Sequence, residues 1–72
     1  MNDIIHRVIE KQFEGCELYR NQSGCLIKTG ELNQNQIMFL GTLIMNGFAV
    51  EMYSDGRAII VKVGDRDEGV FI

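Results

Sequence analysis

Few side chains in this 72-residue chain are of types that do chemistry near neutral pH: one histidine, two cysteines and a short acidic run. His6 stands one helical turn from Glu10, a spacing that can offer two ligands to a metal ion. A closed site needs about four, and no further cluster accompanies the pair, so His6 reads as a surface histidine. Cys16 and Cys25 are spaced nine apart, which matches no metal or redox motif. Nucleophilic cysteines sit in polar, partly open surroundings, whereas both of these fall at positions patterned for a core. Asp65-Arg66-Asp67-Glu68-Gly69 superficially resembles a calcium loop. An EF-hand, however, needs a 12-residue loop, a closing Glu and a following helix, which the residues up to Ile72 do not provide. A solvated turn is expected there. The glycines form no phosphate-cradling series. The residues thus predict no catalytic group, no metal site and no cofactor, and the chain is not expected to be an enzyme.

The elements that would position these side chains follow from periodicity. Ile4, Ile5, Val8, Ile9 and Phe13 recur at helical spacing, predicting a helix over 3–14. Asn2 or Asp3 can cap it, and Gly15 suits its left-handed stop. Cys16, Leu18 and Arg20 then alternate with Glu17 and Tyr19, and Cys25–Thr29 returns as a second strand after turn residues 21–24. A turn at Asn21-Gln22 would set Leu18 opposite Cys25 and Cys16 opposite Ile27. The cysteines would then be diagonal, roughly 7 Å or more apart, too far for an easy disulfide. Asn33 with Gln36 resembles a capping box opening a second helix over 34–46, which Asn46-Gly47 ends. Phe48, Val50 and Met52 alternate with Ala49, Glu51 and Tyr53. Asp55-Gly56 signals a type I′ turn, after which Ile59, Val61 and Val63 share the face of Met52, Val50 and Phe48. Val70-Phe71-Ile72 reads as a short closing strand.

An offset of 34 residues overlays the halves without a gap: Tyr19 on Tyr53, Leu18 on Met52, Ile27 on Val61, Lys28 on Lys62. Each half, about 1–32 and 33–72, is a helix followed by a hairpin, and such a unit buries its apolar face only by stacking on a neighbour. The expected fold is α+β: an αββαββ pseudo-repeat in one domain, 1–72, with a four-stranded antiparallel sheet and two helices on one face. The strand order between the hairpins is left open.

Composition narrows the function. The net charge is −3, with acids and bases mixed along the chain, so no basic stripe favours nucleic acid. No apolar run approaches the ~20 residues that span a bilayer, and no secretion signal opens the chain. With only two cysteines, a cytoplasmic setting is expected. A chain this short buries only about 60% of its unfolded surface, which points to support from a partner subunit.

Two surfaces stand out. By alternation, the outward face of the sheet carries Glu17, Tyr19, Leu26 and Lys28 from one half and Glu51, Tyr53, Ile60 and Lys62 from the other. It is solvated strand surface at minimum and, because tyrosine is a common anchor, a candidate partner-binding face through Glu17, Tyr19, Lys28, Glu51, Tyr53 and Lys62. The second helix is apolar nearly all round, with Asn35, Thr42 and Asn46 as its polar stripe. Gly41 in mid-helix costs about 1 kcal/mol against Ala, which a close helix approach would explain. Ile37, Met38, Gly41, Ile44 and Met45 are therefore the candidate homodimer interface; the competing reading makes this helix simply the central core helix. The expected function is a small cytosolic interaction protein, a homodimer binding another protein, of a size and acidity that suit an accessory protein or inhibitor of a phage or mobile element. The alternative is a nucleic-acid-binding or regulatory module that stacks bases on the tyrosines, which one Glu per Lys disfavours.

Overall fold

The computed structural model describes residues 1–65. In chain order they form α1 (Asp3–Gln12), β1 (Glu17–Arg20), β2 (Gly24–Thr29), α2 (Gln34–Met45), β3 (Phe48–Asp55) and β4 (Ala58–Asp65). The four strands make one antiparallel sheet in the order β1-β2-β4-β3, which settles the open strand order. The two hairpins meet through their second strands, leaving β1 and β3 as edges. The expected closing strand Val70-Phe71-Ile72 and most of the acidic run lie outside the described residues. Asp65, expected in that turn, belongs to β4.

Both helices start on asparagine caps. The Asn2 carboxamide oxygen accepts from the Ile5 N–H at 2.9 Å. Asn33 and Gln36 complete the capping box, with reciprocal bonds of 2.8 and 3.0 Å. α2 stops where Gly47 takes a positive φ of 91°.

Both turns differ from expectation. In the first hairpin the Asn21 side chain accepts from the N–H groups of Ser23 and Gly24, and the Asn21 N–H donates to the Gly24 carbonyl. Arg20 therefore pairs with Cys25, and Leu18 with Ile27. In the second, Asp55 pairs with Ala58, so the loop is Gly56-Arg57. Gly56 alone has positive φ, 65°, the pattern of a type II′ rather than a type I′ turn. Each correction moves the pairing by two residues. A shift of two preserves which face a side chain occupies.

The core draws Ile9 and Phe13 from α1, Leu40 and Leu43 from α2, and Cys25, Ile27, Val61 and Val63 from alternate positions of β2 and β4. α1 sits rotated from its expected stripe. Ile4 and Val8 are exposed, while His6, expected at the surface, is 3% exposed. The cause is Arg20. It shares the inner face of the sheet with Cys25 at the rim of β1, and its guanidinium meets Asp3 at 3.0 Å and Glu10 at 3.5 Å. Asp3 and Glu10 share one flank of α1, and His6 lies between that flank and the face of Ile9 and Phe13. Turning the flank to Arg20 carries His6 inward and Ile4 and Val8 out.

Candidate functional site

The strand register assembles the outer face of the sheet. Glu17 pairs with Lys28, Lys28 with Ile60, and Ile60 with Tyr53, making one row across all four strands. Tyr19, Leu26, Lys62 and Glu51 make the next. Each row reads acid, lysine, aliphatic, tyrosine, and the two run in opposite directions. All six residues expected on a partner-binding face thus lie within two adjacent rows. The hairpin registers also correspond at the 34-residue offset: Glu17↔Lys28 with Glu51↔Lys62, and Leu18↔Ile27 with Met52↔Val61.

The two rows differ in detail. Ile60 is 5% exposed although it points away from the core, since its row neighbours Tyr53 and Lys28 flank it. The Lys62 ammonium stands 5.3 Å from the Tyr53 ring centroid, in cation–π range. Tyr19 and Tyr53 keep about half their surface open. The face therefore offers two half-exposed rings beside lysines and glutamates in alternation. It can bury aromatic area against a partner and direct hydrogen bonds of both signs around it.

α2 presents the second surface. It buries Gln36, Leu40 and Leu43 and exposes Ile37, Met38, Ile44 and Met45, the last at 88%. Gly41 lies among them, partly covered. α2 thus has one side in the core, through Leu40 and Leu43, and an apolar side open to solvent. Its polar stripe is tied locally: Thr42 donates to the Met38 carbonyl and Asn46 to that of Thr42. The buried Gln36 donates to the Gln12 carbonyl at 3.2 Å, joining the start of α2 to the end of α1.

One contributor was not foreseen. Met52, patterned for the core, is 53% exposed because it lies on an edge strand. Together with Leu32, Ile37 and Ile59 it lines an open groove of ≈ 520 Å³ between α2 and the end of the second hairpin. Only the strand order reveals this, since alternation gives the face of a side chain and not its distance from the sheet edge.

The reactive side chains are elsewhere. Cys16 and Cys25 are free, and burial pushes the Cys25 thiol up to about 11, away from thiolate chemistry. His6 Nδ1 is buried and makes no hydrogen bond, while Glu10 is engaged by Arg20. Hydrogen bonding to Arg20 and the charge of Arg7 hold the Asp3 carboxyl below its ordinary value. No group of three or more potential metal ligands occurs among the described residues. No helix among them is long and apolar enough to cross a membrane. Comparison of the chain with family models, curated proteins and solved structures gives no match.

Proposed function

We propose that the chain is a non-enzymatic binding module that engages another protein through the outer face of its sheet and works as a homodimer joined through α2. The observation that carries this reading is the pair of antiparallel rows, in which Glu17, Tyr19, Lys28, Glu51, Tyr53 and Lys62 occupy one contiguous surface. Half-exposed tyrosines can anchor a protein partner, with the flanking charges as a polar rim around them. Equal numbers of glutamates and lysines speak against a phosphate backbone as the partner. Supporting the dimer, Ile37, Met38, Ile44 and Met45 leave one side of α2 apolar and open. Free cysteines suit a reducing, cytoplasmic setting.

The test is affinity capture from the native host with the wild-type chain and with Tyr19→Ala plus Tyr53→Ala, whose fold is checked by circular dichroism. The reading expects one protein partner, retained by the wild type and lost from the double variant at least tenfold. Equal retention by both refutes the tyrosine face. Salt-sensitive retention of single-stranded nucleic acid, lost with the tyrosines, would replace the protein partner with the alternative reading.

A further inference from the structure

We infer that the second copy adds its β3 to the β3 of the first, so that the homodimer is one continuous eight-stranded antiparallel sheet with the two α2 helices packed across the two-fold axis. This rests on the homodimer reading and gives it a geometry. β3 is an eight-residue edge strand, Phe48–Asp55, against four residues for the other edge, β1. It carries no Pro or Lys, and its only charges are Glu51 and Asp55, of which Asp55 stands at the end of the strand beside the turn. The apolar side of α2 leans the same way. Phe39, on one flank of α2, meets Phe13 of α1 with ring centroids 6.2 Å apart. Ile37 and Ile44 occupy the opposite flank, and Ile37 shares the groove with Met52 of β3. Strand edge and helix flank are therefore one surface.

A second copy is the occupant that fits. The partner must bring a free strand edge with an apolar flank beside it, and this chain has both. A stable interface buries about 800 Å² per partner. The exposed apolar side chains of α2, Met52 and the eight-residue edge adjoin at the groove and would be covered together. Charge excludes one register, and we take the one centred on Val50. A two-fold axis at Glu51 would face like charges across the seam, which is destabilising. An axis at Val50 sets Val50 against its own copy, Phe48 against Met52 of the partner subunit and Glu51 against Ala49 of the partner subunit, leaving Glu51 paired with Lys62. Gly41 stands between Ile37 and Ile44, and a Cβ there would meet nothing within one chain. Closest approach of the two helices at that point gives the glycine a reason. The two outer faces then join edge to edge into a single recognition surface with four tyrosines, two from each copy.

The test combines light scattering of the wild-type chain with cysteine cross-linking in a Cys16→Ser background, leaving the buried Cys25 in place. The expected results are a dimer at micromolar concentration, an oxidised covalent dimer for Val50→Cys, and none for Glu17→Cys on the opposite edge or for the Cys16→Ser parent. Met52→Lys, at an exposed position that leaves the monomer folded, should weaken dimerisation at least tenfold by placing a charge in the seam. A dimer that cross-links through Glu17→Cys, or that tolerates Met52→Lys, overturns the β3 seam and leaves the homodimer reading standing. A monomer throughout overturns both. If Val50→Cys fails to fold, cross-linking in an equimolar mixture of Ala49→Cys and Glu51→Cys chains, which face each other in this register, replaces it, and no mixed covalent dimer there overturns the β3 seam.

Discussion

His6 is held neutral by where it sits. Burial is the largest influence lowering its pKa, followed by the Arg20 guanidinium and the N-terminal amine; Glu10 and Asp3 pull weakly the other way. A proton on the unpartnered Nδ1 would face no acceptor in the fold. The linkage then has a definite sign. Above the unfolded value of about 6.5, neither state binds the proton and His6 is silent. As pH falls below it, the unfolded chain gains a proton that the native state resists, so stability declines until the folded pKa is passed. Urea unfolding at pH 7.5 and 5.5 should show a lower midpoint at the acidic pH. His6→Leu, which fills a similar volume without a titrating group, should flatten that difference. An unchanged pH dependence in the variant would show that another group carries it. Periodicity does not predict this burial: His6 lies off the apolar stripe, and its inward position follows from how α1 packs, with Ile9 and Phe13 in the core and Arg20 on Asp3 and Glu10.

The hairpins impose their constraints at the level of backbone contact. Gly24 pairs with Gly64 where β2 crosses to β4, and a Cβ on Gly24 would run into the Val63 carbonyl. Backbone cannot yield as a flexible side chain would. Gly24→Ala should therefore cost about 1–3 kcal/mol in chemical denaturation, whereas Gly30→Ala, whose Cβ meets nothing within 4 Å, should not show that steric loss. These elements also show how far periodicity reaches. Alternation put Glu17, Tyr19, Lys28, Glu51, Tyr53 and Lys62 on one face, and the asparagine capping box located the start of α2. The turns differ from the expected ones for local reasons: the Asn21 carboxamide organises the first, and the positive φ of Gly56 makes it the first loop residue of the second, with Asp55 still in the strand. The faces survived because each error was an even number of residues. The rotation of α1 and the openness of Met52 depend on contacts between elements far apart in sequence, which no local pattern encodes.

At the scale of the whole molecule, the core is a single cluster shared by both halves, with apolar surface left open on α1, α2 and β3. If association covers α2 and β3, folding and assembly are linked by mass action. The melting temperature should then rise as the chain is concentrated from 1 to 100 μM, and a constant value over that range would count against any obligatory dimer.

The central β2–β4 pairing has a kinetic meaning as well. Each hairpin closes over a few residues, whereas the seam joins Gly24–Thr29 to residues 59–64. Hairpins form in about 1–10 μs, and seam formation must close the long intervening segment, so topology makes it the slow step. A chain cut between Gly30 and Leu32 would turn that closure into an encounter between two molecules. Its refolding would change from a first-order to a second-order process, each fragment waiting for the other to supply the missing half of the sheet.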